Sequence, residues 1–180
     1  MIEIKISKND KEDKLFRINS KDIVGFYNCN TIQERKITDI IKCYGKTKRI
    51  REIELKNVKP EDNVTVFQYI ERNVGSIINK DYVIEGFLKL GELFDFKDEV
   101  VRGLDRSKRY CLEILVAFLQ EADIIILHEM FENVWNHTIE EVLIEFSLRG
   151  AVVVFSEHGE ESLMKLPMHS YNLKGKYVGQ

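Results

Sequence analysis

The stretch LDRSKRYCLEILVAFLQEADIIILHE, Leu104 to Glu129, decides the fold class. Leu112, Leu115, Val116 and Leu119 recur at three and four residues, the spacing that gathers apolar side chains on one face of a helix. Asp123 closes that pattern, and Ile124-Ile125-Ile126-Leu127 follows without a polar residue to turn toward water. A strand of this kind is buried on both faces, as in a parallel sheet covered by helices. The same order then repeats. Thr138 and Glu141 have the spacing of a capping box ahead of Ile139, Val142, Leu143 and Phe146, Gly150 stops that helix, and Ala151 to Phe155 is again apolar throughout. Helix, strand, helix, strand predicts an α/β layer with parallel strands.

Toward the start of the chain, Ile2, Ile4 and Ile6 alternate with Glu3 and Lys5, and a second stretch runs through Phe16 and Ile18, which predicts an antiparallel pair. Ile23-Val24-Gly25-Phe26-Tyr27 is a compact apolar strand, Asn28-Cys29-Asn30 a loop, and Ile37, Ile40, Ile41 and Tyr44 mark a helix. Arg49 to Leu55 alternates as a strand and Pro60 to Asn63 reads as a turn. Thr65 and Gln68 form a capping box before an apolar helical face, and a further helix begins after Asp81 and ends near Gly91. Residues from about 60 to 105 thus make a small helical region. Its Val66, Phe67, Tyr69, Phe87, Leu88, Phe94 and Phe96 exceed what so short a segment easily hides, so an exposed apolar patch is expected there. Pro167 to Gln180 is turn-rich and is expected to close as a hairpin.

The length of 180 residues fits one domain, residues 1–180. Apolar types make up 44% and charged types 32%, enough of both to bury a core and remain globular. With 27 basic and 30 acidic residues the formal charge is -3, which gives no ground for a nucleic-acid partner. Apolar runs such as Ala151 to Phe155 fall far short of the ~20 residues of a spanning helix, so no membrane insertion is expected. The opening MIEIKISKNDKEDK lacks the pattern of a secretory signal, and Cys29, Cys43 and Cys111 are odd in number and scattered, which together point to a reducing cytosol.

Leu104 to Glu129 resembles the ATP-binding subunits of ABC transporters, in which a signature loop, a helix and an apolar strand closed by Asp-Glu follow one another without a gap. Val152 to His158 is similar to that family's last core strand and switch-histidine loop, Ile23 to Tyr27 to the strand feeding its phosphate loop, and Thr65 to Ile70 to the opening of its helical region. The resemblance covers roughly residues 1 to 165. It implies an α/β, ABC-ATPase-like core of the P-loop NTPase type with an N-terminal antiparallel layer. It also implies ATP and Mg²⁺ as the family's cofactors and ATP hydrolysis driving transport as its activity. The partners would be a membrane permease, a second ATP-binding subunit or both, at the inner face of the cell membrane.

The motif residues depart from the family. Its Gly-x-x-Gly-x-Gly-Lys-Thr/Ser-Thr/Ser loop falls on NCNTIQERK, Asn28 to Lys36, where no Gly is present, Ile32 sits inside the loop and Glu34 takes the Lys position among Asn30, Arg35 and Lys36. A carboxylate facing a triphosphate turns attraction into repulsion, a swing of several kcal/mol at an effective dielectric of about 20. The signature loop falls on Leu104 to Lys108, with Asp105, Arg106 and Ser107 in place of its small residues. His128 stands where the family's Mg²⁺-orienting Asp would, and Trp135 where a later acidic residue would, whereas Glu129 matches the water-polarising Glu and His158 the switch histidine. The resulting expectation is a non-hydrolysing structural or regulatory partner of a transporter, with no bound cofactor. The alternatives are an active ATPase whose site is atypical or completed by a partner, and a stand-alone interaction protein.

Glu129 reads either as a catalytic carboxylate or as a solvated one at a strand end. His128, Glu129 and His158 lack the spacing of a metal motif, and no metal site is expected. Cys111 reads as a packed spectator, Lys46, Lys48, Arg49 and Arg51 as a solvated edge, and Trp135 with Met130 and Phe131 as an apolar cluster for core or contact.

Overall fold

The computed structural model describes residues 1–8, 11–44, 47–54, 63–75, 79–130, 134–159, 166–167 and 169–179. In chain order the elements are β1 (Ile2–Lys8), β2 (Lys11–Ile18), β3 (Ile23–Tyr27), α1 (Thr31–Tyr44), β4 (Ile50–Glu54), α2 (Val66–Asn73) and α3 (Lys80–Leu90). After two short 3-10 turns come α4 (Arg106–Leu119), β5 (Ile124–His128), α5 (His137–Leu148), β6 (Val152–Ser156), β7 (His169–Asn172) and β8 (Tyr177–Gly179). Five strands form a sheet in the order β4-β5-β6-β3-β7, with every neighbouring pair parallel. A second sheet, β2-β1-β8, is antiparallel. Both predicted layers are therefore present.

The unbroken apolar strands follow from a core on each face of the parallel sheet. Ile124 and Ile126 of β5 and Val152 and Val154 of β6 pack with Ile37, Ile40 and Ile41 of α1 and with Ile2, Ile4 and Ile6 of β1. Their alternates Ile125, Leu127, Val153 and Phe155 join a second cluster with Leu115 and Phe118 of α4 and Leu143 and Phe146 of α5. Because side chains alternate along a strand, His128 continues the row Ile124, Ile126 and so lies on the α1 side. In the parallel register it pairs with Ser156, which continues the row Val152, Val154. The functional cluster described below stands at the carboxyl end of these two rows.

Three expectations are met differently. Helix α5 starts at His137 and is capped by Asn136, whose Oδ1 accepts from Ile139 N–H at 2.9 Å, so Thr138 and Glu141 form no capping box. Asn is at least as good a cap as Thr, and here it comes first; the Thr138 hydroxyl donates to Glu92 instead. The predicted Thr65/Gln68 box does form at α2. The residues from 169 onward make no hairpin: β7 takes the open edge of β3 and β8 the open edge of β1, so the two strands enter different sheets.

In the helical region Val66 and Leu88 are fully buried, and Phe67, Tyr69, Phe87, Phe94 and Phe96 are half-buried. Lysine ammonium groups lie over the rings of Phe94 and Phe96 at 4.6 to 4.9 Å, and the Arg149 guanidinium lies over Phe118 and Phe87. Cationic side chains thus cover rings that were expected to form a patch. Among the described residues of this region only Tyr82 is a large exposed hydrophobic. Met130 is buried and Trp135 packs edge-on to Phe155, which makes them core, while Phe131, Lys46 and the Pro60 turn lie outside the described residues. Among the described residues no helix is long and apolar enough to cross a membrane.

Candidate functional site

Only Asn28, Cys29 and Asn30 separate β3 from α1, and their backbone donors are already used. Asn28 N–H donates to Gly159 O at 2.9 Å and Cys29 N–H to Glu157 O at 3.0 Å. Asn30 caps the helix: its Oδ1 accepts from Gln33 N–H at 2.9 Å, while its own N–H donates to Gln33 Oε1 at 2.8 Å. Gln33 in turn donates through Nε2 to the carbonyls of Leu173 and Lys176. Where glycines would leave amides turned outward to an anion, this connection closes on itself. Helix begins at Thr31, so Glu34 is a helical residue one turn into α1, while Ile32, Arg35 and Lys36 are exposed on its outer side.

Glu34 is the centre of the site. Its Oε1 accepts from His128 Nδ1 at 2.8 Å and from the Ser156 hydroxyl at 2.7 Å, and its Oε2 lies 3.5 Å from His158 Nε2. His128 Nε2 donates to Glu52 Oε1 at 3.0 Å, and Glu52 Oε2 is held by Lys42 Nζ at 2.6 Å. His158 Nδ1 stands 2.9 Å from Glu129 Oε1. A continuous line of alternating basic and acidic side chains thus runs Lys42, Glu52, His128, Glu34, His158, Glu129, drawn from α1, β4, β5 and the segments after β5 and β6. Glu129 has a left-handed backbone, φ 51°, which turns the chain at the end of β5. Of the sequence candidates, Glu34, Glu129 and His158 are brought together here, while Arg35 lines an open cleft of about 380 Å³ that also reaches Glu34, Thr38, Lys42, Glu52 and His128.

The electrostatics follow from burial and partners. Burial of His128 disfavours its charge, but hydrogen bonds to Glu34 and Glu52 and their negative charges outweigh it and raise the imidazole to about 9. The ring is therefore an imidazolium at neutral pH, with both nitrogens donating. Burial raises the Glu34 carboxyl, yet the bonds from His128 and Ser156 and the neighbouring imidazole charges hold it below the usual carboxylate range. The His128 bond, with Lys42 beyond, carries Glu52 down to about 2. Cys29 and Cys111 are buried and their thiols are pushed up to about 12, so neither is a nucleophile.

The signature-like residues lie elsewhere. Asp105 caps α4, its Oδ1 accepting from Lys108 N–H at 2.8 Å while Lys108 Nζ lies 2.6 Å from its Oδ2. Arg106 is exposed in the first turn of α4, and Ser107 donates to Val134 O and accepts from Asn136. Sequence reasoning missed Glu52, Ser156 and Lys42. A signal existed for the pair at the centre: two motif positions changed sign together, Lys to Glu34 and Asp to His128.

The parallel sheet with α1 on one face and α4 and α5 on the other, joined to an antiparallel sheet, defines a P-loop NTPase-type α/β fold. Comparison with solved structures narrows it to that of ABC transporter ATP-binding subunits. A protein assigned as a metal-chelate type ABC transporter, solved facing inward, superposes at TM-score 0.70 with 14% identity over 100% of this chain and 84% of its own. An ATP-binding subunit of an ABC transporter gives 0.66 at 15% identity over 96% and 87%. An ABC transporter ATP-binding protein from Pyrococcus furiosus gives 0.70 at 18% identity over 96% and 98%. No protein-family model and no curated protein matches the sequence.

Proposed function

We propose that this chain is a non-hydrolysing structural or regulatory subunit with the ABC ATP-binding fold, working with a membrane permease, a second ATP-binding subunit, or both, on the cytoplasmic face of a membrane. The observation that carries the reading is Glu34. Its carboxylate stands at the position of the family's phosphate-binding Lys and is fastened by His128, Ser156 and His158. A triphosphate there would meet a fixed negative charge, and the amides of Asn28, Cys29 and Asn30 that would have to receive it are bonded within the chain. His128 cannot replace the Mg²⁺-orienting carboxylate, because an imidazolium repels a cation. The residues present do not fit Mg-ATP. Glu129 and His158 keep their positions as a bonded pair, and we assign them a structural part at the ends of β5 and β6. By that likeness, the helical region of about residues 60 to 105 would be where a permease docks.

Titration of the purified chain with Mg-ATP by calorimetry and by thermal shift tests the nucleotide half. A bound ligand at 100 times its dissociation constant stabilises by about 2.7 kcal/mol, so the expected absence of any shift at millimolar Mg-ATP is decisive. A clear shift, or a Glu129→Gln chain that dimerises only with ATP present, would hand the function to the active ATPase with an atypical site. Co-purification from solubilised membranes tests the other half: recovery of a permease supports the transporter role, and recovery of water-soluble partners alone supports a stand-alone interaction protein.

A further inference from the structure

The groups that converge on Glu34 come from two separate stretches of the chain. His128 ends β5, Ser156 ends β6 beside it in register, and His158 follows in the loop. His128 and Ser156 are almost wholly buried, at 3% and 1% exposure, yet their polar atoms point to one place. Such an arrangement of two imidazoles and a hydroxyl is suited to an oxyanion: Ser156 Oγ also lies 2.6 Å from His128 Nδ1, and both groups still present a hydrogen to the same carboxylate oxygen. The anion it holds is supplied by α1. The carboxylate receives hydrogen bonds from His128 and Ser156 on one oxygen and faces His158 with the other.

We propose that His128, Ser156 and His158 build an oxyanion site that the chain occupies with its own Glu34 carboxylate, and that loss of this carboxylate opens the site to a free phosphate group. The open cleft of about 380 Å³ along α1 is lined by both Glu34 and His128 and is far larger than one phosphate, so removal of the Glu34 side chain extends it toward Ser156 and His158. Charge balance agrees. With Glu34 present, His128 is flanked by two carboxylates, Glu34 and Glu52, and an added anion would be repelled. Without Glu34, the imidazolium and Glu52 cancel and the donors face the opening. Lys42 of α1, bonded to Glu52, lines the same cleft, and Glu54 of β4 and Glu129 beyond His158 limit the attraction.

The proposal rests on the reading that the native chain holds no nucleotide here, and the two fail separately. Inorganic phosphate is titrated into the native chain and into Glu34→Ala and Glu34→Ala/His128→Ala, at constant ionic strength near neutral pH, with phosphorus NMR and thermal shift as readouts. Phosphate should bind Glu34→Ala at least tenfold more tightly than the native chain, and Glu34→Ala/His128→Ala no better than the native chain. Equal, weak binding by the native chain and Glu34→Ala would overturn the oxyanion site while leaving the nucleotide reading intact. Binding of Mg-ATP by the native chain would overturn the nucleotide reading first. Should Glu34→Ala not fold, Glu34→Ser, also short and uncharged, carries the same comparison, with the same outcome required.

Discussion

Raising the pH from about 6 to about 10 should weaken this protein specifically through His128. The folded chain keeps the imidazole proton up to about pH 9, whereas the unfolded chain releases it near 6.5. Between those values the native state binds more protons than the unfolded state, so stability falls as pH rises. It is fully present below 6.5 and lost through about 9. At about 1.4 kcal/mol for each tenfold difference in proton affinity, the interval amounts to about 3 kcal/mol, a large share of the 5–15 kcal/mol that typically hold a domain together. The side chain of His128 is 4% exposed, so solvent screening takes little from this figure. Glu34 and Glu52 act with the opposite sign. Their depressed carboxyls contribute above the ordinary value of 4.5 and lose that contribution as the pH falls, for Glu52 toward about 2. The cluster should therefore stabilise most between 4.5 and 6.5. Urea unfolding of the native chain and of His128→Asn across this range, with the difference between their slopes taken, removes the titration of all other groups. Parallel slopes in the alkaline limb would refute the reasoning. So would a His128 ring proton, followed by NMR in the native chain, that titrates near 6.5, and this second measurement stands even if His128→Asn does not fold.

Gly91→Ala should destabilise by about 1–3 kcal/mol in urea unfolding, because the new Cβ would lie 2.6 Å from Leu115 Cδ1 and 3.1 Å from Cys111 Sγ, both on buried side chains of α4. Asp105→Ala should cost about 1 kcal/mol by removing the cap of α4, and Asp105→Asn should recover most of it; equal losses in the two would show that the Lys108 charge matters more than the cap. Brief alkylation of the native chain followed by mass spectrometry should modify exposed Cys43 and spare Cys29 and Cys111, with all three modified once the chain is unfolded.

The parallel layer was legible because β5 and β6 are apolar at every position but the last, and only a sheet covered on both faces by α1 on one side and α4 and α5 on the other asks for that. Glu34 and His128 were each legible as a departure from a motif. Their union was not, because it depends on α1 crossing the carboxyl ends of β5 and β6, a contact between residues 94 positions apart. Glu52 looked like the solvent side of an alternating strand, and Ser156 like the end of an apolar one; neither residue carries a local mark of its partner. The missing hairpin has a similar cause. A turn-rich segment looks the same whether its two arms pair with each other or with the open edges of β3 and β1, and those edges are set by the rest of the fold.

The division of residues 169–179 between two sheets sets an order of events during synthesis. Gln33 begins α1 early in the chain, but the carbonyls it grips belong to Leu173 and Lys176, and the first of these bonds spans 140 positions. Until that stretch leaves the ribosome, β3 and β1 each present an unpaired edge, and the start of α1 lacks its anchor. Such late, long-range pairings slow folding and leave strand edges open to other chains. A nascent protein of this design depends on being shielded until its last two strands arrive, and expression that outruns such shielding should send it into aggregates through β3 and β1.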